Sequence, residues 1–167
     1  MANTDSAYGF KPWGPLLCLF PYSVDSSNGT AFFQNDLVEL EADGNATPSA
    51  AASLHIVGSS QTQLAVSTAG TVMVADGLTQ KFDAQADDVS ATLAQTNVGN
   101  LADHIAGAGS AVTLLSGHEI DSDTAGAAAA ALLIQDSVNR EDNDNTAANA
   151  DWICVLSEHI QLDADGI

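Results

Sequence analysis

Residues 35–85 read NDLVELEADGNATPSAAASLHIVGSSQTQLAVSTAGTVMVADGLTQKFDAQ, and this stretch decides the fold of the chain. It contains short apolar segments of about 4–6 residues, the length of ordinary strands. These segments are Leu37–Glu41, Leu54–Val57, Gln63–Val66, Thr71–Val74 and Gln80–Gln85. Turn residues such as Gly58-Ser59-Ser60 separate them, and glycine stands at nearly every joint. This pattern is typical of a β-meander that forms a small barrel or sandwich.

Downstream of this stretch the sequence predicts more strands and little helix. The further strands are predicted at Ala111–Leu115, Ala129–Val138 and Trp152–His159. Alanine favours helix by propensity, but an all-β context overrides that preference in the second of these segments. In the third, Trp152, Cys154 and Leu156 share one face because strand side chains alternate. Val89–Leu101 is predicted to be a short helix. The fold class is therefore mainly β, a small antiparallel β-barrel or sandwich with at most one or two short helices.

Residues 1–30 differ from the body, which we predict to span residues 31–167. Tyr8–Pro15 contains two prolines and two glycines. Because proline fixes φ and restricts the residue before it to extended conformations, this segment cannot be helical. The first 30 residues hold five of the nine aromatic residues of the chain: Tyr8, Phe10, Trp13, Phe20 and Tyr22. Such residues either fold back over their own barrel or dock on a neighbouring subunit. We predict an extended N-terminal arm whose five aromatic residues form a protein interface.

The charge of the chain excludes several classes of partner. Lys11, Lys81 and Arg140 are the only permanent cations, against 22 acidic residues and a net charge of −19. Binding to nucleic acid or to anionic lipid needs a basic face, so we predict neither nucleic acid nor membrane as a partner. The sequence contains no apolar run long enough to span a membrane, and its first residues lack the pattern of a signal peptide. Such acidity is typical of a protein that stays soluble in salty water.

No motif in the sequence points to catalysis. Neither a Gly-x-Ser-x-Gly elbow, a Walker loop nor a zincin pair of histidines is present. Cys154 and His159 are five residues apart, which places them on opposite faces of a strand and argues against a nucleophile–base pair. Cys18 and Cys154 are predicted to be buried free thiols, with a disulfide between them as the alternative. The chain is therefore predicted not to be an enzyme, with no catalytic residue and no cofactor.

The acidic turns raise a calcium hypothesis. Asp121–Gly126 matches the start of an EF-hand loop only in part, because Leu132 stands where the closing bidentate Glu is needed. We predict solvated turns and no metal site. A small calcium- or carbohydrate-binding β module remains an alternative function of a different class.

Several phrases along nearly the whole chain resemble a known family when taken in order. They are Tyr8–Pro15, Asn35–Val38, Glu41–Asn45, Val72–Asp76 followed by Phe82, Asp103–Ser110, Ser116–Asp121, and Trp152 followed by Glu158-His159. The sequence is similar to small structural proteins in the virions of marine tailed bacteriophages, which are thought to be capsid decoration (cement) proteins. The resemblance implies a β-rich domain on the outer surface of the capsid, bound to the major capsid protein, in many copies and often as homotrimers. It implies no individual site residues.

A cement protein binds the assembled shell and not its dissociated subunits, and so stabilises the shell by mass action. We expect the aromatic arm to reach capsid protein or a sister subunit while the body forms the oligomer. Another virion component, such as a head-fibre base or a tail protein, is the alternative within the same class.

Overall fold

The computed structural model of the protein describes residues 3–53, 55–87 and 90–161. Its strands are β1 (Lys11–Trp13), β2 (Phe20–Val24), β3 (Leu37–Leu40), β4 (Ala46–Pro48), β5 (Ile56–Ser60), β6 (Gly70–Ala75), β7 (Lys81–Gln85), β8 (Leu101–Ala102), β9 (His104–Ile105), β10 (Glu119–Ile120), β11 (Leu132–Ser137) and β12 (Asp151–Leu156). In these described ranges the helical elements are two short 3₁₀ turns, Gln95–Asn97 and Ser122–Thr124. Strand makes up 35% of the described residues and helix 4%, which confirms the predicted mainly β class.

The strands form two five-stranded antiparallel sheets and one two-stranded ribbon. Sheet A has the order β1-β7-β12-β11-β8, and sheet B has the order β2-β6-β5-β3-β4. The ribbon pairs β9 with β10. The strands that the structure describes do not close into a barrel, and their arrangement is sandwich-like. Of the two predicted forms, the sandwich is therefore the one observed.

The larger part of the core lies between the two sheets. Trp152, Cys154 and Leu156 of β12 are all buried, which confirms that they share one face. They belong to a cluster that also contains Leu37 of β3 and Ile56 of β5. Because these residues come from both sheets, the inner face of sheet A packs against sheet B.

A second cluster covers the opposite face of sheet B. Its buried members are Val24, Phe32, Val38, Ala46, Val57, Val72 and Val74. Successive side chains of a strand point to opposite faces. Leu37 and Val38 divide between the two clusters in this way, and so do Ile56 and Val57. Sheet B is therefore buried on both faces, with residues such as Leu64 packed over its second face.

The first 30 residues are not a separate arm. β1 pairs with β7 at the edge of sheet A, and β2 pairs with β6 at the edge of sheet B. Phe10 has no exposed surface and belongs to the cluster between the sheets. The predicted division into an arm of residues 1–30 and a body of residues 31–167 is corrected accordingly, since the described part of the N-terminal segment supplies an edge strand to each sheet.

Some of the local predictions hold and others are wrong. The predicted strands at Leu37–Glu41, Thr71–Val74, Gln80–Gln85 and Ala129–Val138 correspond to β3, β6, β7 and β11. Gly58-Ser59-Ser60, predicted as a turn, is instead part of β5. In the predicted strand Gln63–Val66 the pairing is limited to an isolated bridge between Leu64 and Phe32. Leu54 lies outside the described residues.

The predicted helix Val89–Leu101 and the predicted strand Ala111–Leu115 are both wrong. In the described residues 90–101 the helical part is the turn at Gln95–Asn97. In the second segment the Leu114 N–H donates to the Ser110 carbonyl over 2.7 Å, and Leu114 has a φ of 62°. Local hydrogen bonds of this kind close a turn, and the pairing of this segment is limited to an isolated bridge between Leu115 and Gln34.

Both cysteines are free thiols, as predicted, but the expected burial holds for Cys154 and is wrong for Cys18. Cys154 is buried, and burial raises the pKa of its thiol. Cys18 is exposed on the segment between β1 and β2.

Candidate protein interface

The structure separates the five aromatic residues predicted to form an interface. Trp13 is 40% exposed and Phe20 is 54% exposed. Tyr8 and Tyr22 are half-buried. The prediction for Phe10 is wrong, because its ring is completely buried between the sheets and reaches no partner.

Tyr8 makes its main polar contact inside the fold. Its hydroxyl donates a hydrogen bond of 2.6 Å to Oδ1 of Asp83, a residue that is only 4% exposed. Burial and this hydrogen bond raise the pKa of Tyr8, and burial also raises the pKa of Asp83. Close by, Arg140 donates to the buried carboxylate of Asp151. Tyr8 therefore attaches the N-terminal segment to the outer face of sheet A.

Tyr22 plays a similar part at sheet B. Its hydroxyl donates to Oδ2 of the buried Asp76 over 3.0 Å. Burial, with the contact to Asp76, raises the pKa of Tyr22 to about 12. Both tyrosines thus hold the segment to the body, and the exposed part of the segment lies between them.

That exposed part is an apolar strip, which we define as Leu16, Leu17, Leu19 and Phe20. Their exposures are 47%, 54%, 42% and 54%. The strip joins β1 to β2 and so runs from the edge of one sheet to the edge of the other. Together with Trp13 it accounts for five of the nine exposed large apolar residues found in the described part of the chain. Contiguous exposed apolar surface of this kind marks protein interaction sites.

The side chain of Gln80, which is only 1% exposed, forms hydrogen bonds with the backbone at the strip. The Leu17 N–H donates to Oε1 of Gln80 over 2.9 Å, and Nε2 of Gln80 donates to the Trp13 carbonyl over 3.3 Å. Gly77 packs closely against Leu17, so that a β-carbon at Gly77 would lie 3.0 Å from the Leu17 β-carbon. The apolar side chains therefore point outward from a backbone that is already ordered.

Both strands that flank the strip are edge strands, and each contains a proline. An unpaired edge can add a strand from another chain, but proline lacks the N–H that such pairing requires. Pro12 in β1 and Pro21 in β2 disfavour this route. Contact at this edge is therefore expected to use side chains and not a continued sheet.

A cleft of about 530 Å³ opens beside the strip. Its walls include Lys11, Leu16, Asn35, Asp83 and Arg140. Leu16 belongs to both the strip and the cleft, so the two form a continuous surface. Oδ1 of Asn35 is buried and has no hydrogen-bond partner among the residues that the structure describes. The cleft thus combines apolar and polar walls that can accept a side chain from a partner docked on the strip.

A buried histidine pair lies close to Phe10, whose ring centroid is 6.4 Å from that of His104. The rings of His104 and His118 are 5.7 Å apart, and Nδ1 of His118 accepts a hydrogen bond of 3.2 Å from the Leu37 N–H. Nε2 of His118 lies 3.7 Å from Oδ1 of Asp36. Burial lowers the pKa of His104 to about 4 and that of His118 to about 3, and raises the pKa of Asp36 to about 6. These residues join the ribbon to β3 through neutral histidines.

The described ranges 3–53, 55–87 and 90–161 include no group of three or more His, Cys, Asp or Glu side chains placed to hold a metal ion. At the acidic turn considered for calcium, the carboxylate of Asp121 accepts a hydrogen bond of 3.1 Å from the Asp123 N–H and caps a 3₁₀ turn.

The aromatic pattern of the sequence does not point to the leucines of the strip. Their signal is the unbroken apolar run Leu16–Leu19, which has no alternating polar residue.

In the same described ranges, no helix has the length and apolar character needed to span a membrane. Comparisons of the chain with protein families, with curated proteins and with solved structures found no match.

Proposed function

We propose that this chain is a structural virion protein that binds the outer surface of a bacteriophage capsid and stabilises the assembled shell. The observation that carries the proposal is the apolar strip, because its four large side chains are exposed on a backbone that buried Gln80 holds in place. A surface ordered before binding loses little conformational entropy when a partner covers it. The sequence resemblance to cement proteins supplies the identity of the partner, the major capsid protein.

The proposed action is thermodynamic and involves no chemical reaction. A protein that binds the assembled shell but not its free subunits stabilises the assembled state in proportion to its occupancy. Contacts of modest affinity add up when many copies bind one particle and also contact each other. The resemblance implies copies grouped as homotrimers, and that arrangement is part of the proposal.

The strong negative charge supports contact through the strip and disfavours contact elsewhere. A net charge of −19 makes copies of the chain repel each other over most of their surface. Apolar contact is not subject to this repulsion, and salt screens the remaining charge within about 10 Å. Docking is therefore expected to concentrate on the few apolar side chains that reach the surface.

Electron cryomicroscopy of native virions from the phage that encodes the chain tests the proposal directly. We expect density that fits this sandwich on the outer capsid surface, with the apolar strip facing the shell. Density at a head-fibre base or on the tail would move the protein to another virion component. Mass spectrometry of purified particles that finds none of the chain would overturn the proposal.

A matched pair of variants tests the role of the strip. The double variant Leu17→Ser, Phe20→Ser removes two exposed apolar side chains, and we expect its affinity for undecorated shells to fall by about 30-fold or more. Val112→Ser is the control, because Val112 is 93% exposed and lies outside the strip. Both variants should fold as the wild type does. Shell occupancy by the double variant equal to that of the control would show that the strip does not bind the capsid.

A further inference from the structure

The loop after β2 contains the pair Asn28-Gly29, and Asn28 is the only asparagine in the sequence that a glycine follows. Gly29 is exposed, and a β-carbon added to it would meet no atom within 4 Å. Its N–H forms no hydrogen bond with another described residue. Glycine also leaves the backbone a wide range of conformations. The Gly29 nitrogen is therefore accessible and unpaired, as an intramolecular nucleophile must be.

The side-chain amide of Asn28 is held through its oxygen. Oδ1 accepts a hydrogen bond of 3.1 Å from the Thr30 N–H and a longer one, 3.4 Å, from the Thr47 hydroxyl. The first bond reaches the backbone two residues on, so it folds the side chain over the Gly29 peptide. Nδ2 donates to no residue that the structure describes. The carbonyl is thus polarised by two donors, and its nitrogen is not held.

The backbone of Asn28 is anchored as well. Oδ1 of Asp25 accepts a hydrogen bond of 3.1 Å from the Asn28 N–H. The Asn28 carbonyl accepts a hydrogen bond of 2.9 Å from the Ser67 N–H. The loop therefore fixes the asparagine next to the exposed glycine. Two groups held together in this way react without the entropy cost of a bimolecular encounter.

We propose that Asn28-Gly29 is a self-modification site, at which the chain converts its own asparagine to an acidic residue. Hydroxide removes the Gly29 amide proton, and the nitrogen attacks Cγ of Asn28. Negative charge develops on Oδ1, where the Thr30 N–H and the Thr47 hydroxyl already donate. The new N–Cγ bond closes a succinimide as the Cγ–Nδ2 bond breaks, and Nδ2 leaves as ammonia with a proton from water. Water then opens either carbonyl of the ring and gives aspartate or isoaspartate.

The modification changes the loop in two ways. Either product adds a negative charge to a chain whose net charge is already −19. Isoaspartate also routes the main chain through the former side chain, and the carbonyl that Ser67 contacts becomes a carboxylate outside the main chain. The loop leads to Phe32, a buried member of the cluster on the second face of sheet B. We therefore expect the isoaspartyl form to be less stable than the unmodified chain.

Ageing of the full chain in mildly alkaline buffer tests the proposal, with ion exchange and peptide mapping by mass spectrometry as readouts. We expect an acidic form to accumulate, with faster conversion at Asn28 than at Asn45, which Ala46 follows. Gly29→Ala should slow the conversion by about tenfold or more, because alanine restricts the conformations that the attack needs. This variant should fold, since the added β-carbon has open space and the φ of Gly29 lies outside the left-handed region.

Two variants of Thr47 test the role of its hydroxyl. Thr47→Val removes one donor to Oδ1 and should slow the conversion by about threefold or more. Thr47→Ser keeps the hydroxyl and should convert at the wild-type rate. Circular dichroism verifies that the variants are folded. Equal rates in the two variants would contradict the part given to Thr47.

The proposal is overturned if Asn28 converts no faster than Asn45, or if Gly29→Ala converts as fast as the wild type. Calorimetry measures the consequence for stability, with Asn28→Asp as the matched control because it has the added charge without the rerouted main chain. The isoaspartyl form should melt below this control, and equal melting temperatures would contradict the expected loss. Capsid binding takes no part in these measurements, so their outcome is independent of the proposed function.

Discussion

Sheet A and sheet B each have five strands, but they bury their faces to different extents. In sheet B the neighbours Ile56 and Val57 are both completely buried, one on each face. In sheet A, Trp152 is buried on the inner face, whereas Lys81 is exposed and Val155 only half-buried on the outer face. Burial of apolar surface on two faces makes sheet B the stable centre of the fold. On the outer face of sheet A the N-terminal segment covers Asp83 through Tyr8, whereas Lys81 and Val155 stay accessible to solvent.

The largest expected contrast is between the two tryptophans of the chain. Trp152→Ala removes a completely buried side chain from between the sheets, and the cavity should lower the free energy of unfolding by about 3–5 kcal/mol. Trp13→Ala, on the outer face of sheet A, should cost less than about 1 kcal/mol. Urea unfolding followed by circular dichroism, at concentrations low enough to keep the chain monomeric, measures both values. Similar losses in the two variants would contradict the difference between the inner and outer faces.

Substitutions of Tyr8 and Tyr22 compare how strongly the N-terminal segment is attached to each sheet. Tyr8→Phe removes the 2.6 Å hydrogen bond to Asp83 on sheet A, and hydrogen bonds to charged groups contribute about 1.5–3 kcal/mol. Tyr22→Phe removes a longer bond, 3.0 Å, to Asp76 beside sheet B, and we expect a loss of about 1 kcal/mol. The same urea unfolding experiment shows which of the two variants loses more stability. A larger loss for Tyr22→Phe would mean that the segment is held mainly on sheet B.

The same substitution, valine to alanine, compares the burial of one position in each sheet. Val57→Ala removes two methyl groups from the second face of sheet B, where Val57 is completely buried, and should cost about 1.5 kcal/mol or more. Val155→Ala, on the outer face of sheet A, should cost less because Val155 is only partly buried. Differential scanning calorimetry gives the two shifts in melting temperature. Equal shifts would indicate that the outer face of sheet A is covered in solution.

The sequence predicts the strands well wherever the evidence for them is local. β6, β7 and β12 follow from apolar segments that end at turn residues, and the inward face of Trp152, Cys154 and Leu156 follows from alternation. The predicted helix at Val89–Leu101 fails for a physical reason. In residues 90–97 only Leu93 is buried, and a short helix without an apolar face to pack is marginal in water.

The sequence does not predict the relation between distant strands. Lys11 and Trp13 meet Asp83 and Lys81 only because β1 pairs with β7 in one particular register. No local pattern contains that register, so the burial of Phe10 and the position of Lys11, Trp13 and Lys81 on one face could not be predicted. The aromatic content of the first 30 residues does locate the segment with exposed side chains, since Trp13 and Phe20 are exposed as an interface requires. It does not show which residues of the segment face inward.

The last expected effect appears only as a dependence on pH and concerns His118, the buried histidine that accepts a hydrogen bond from β3 of sheet B. Burial lowers its pKa from 6.5 to about 3, so between these pH values the folded chain binds fewer protons than the unfolded chain. The stability due to this group is therefore complete above pH 6.5 and is lost as the pH falls. His104, with a pKa lowered to about 4, acts in the same direction. Asp36 acts in the opposite direction, because its pKa is raised to about 6 and the folded chain retains a proton that the unfolded chain has released.

His118→Gln isolates the contribution of this one histidine while keeping an acceptor for the Leu37 N–H. Urea unfolding at a series of pH values below 6.5 should show that stability depends less on pH than in the wild type, by up to about 1.4 kcal/mol per pH unit. His55→Gln is the matched control, because it makes the same substitution at an exposed histidine. If the His118 variant and the wild type give parallel curves, His118 accepts a proton as readily in the folded chain as in the unfolded one. Sheet B would then be open to water at β3, and the contrast with the outer face of sheet A would be smaller than the burial of its side chains indicates.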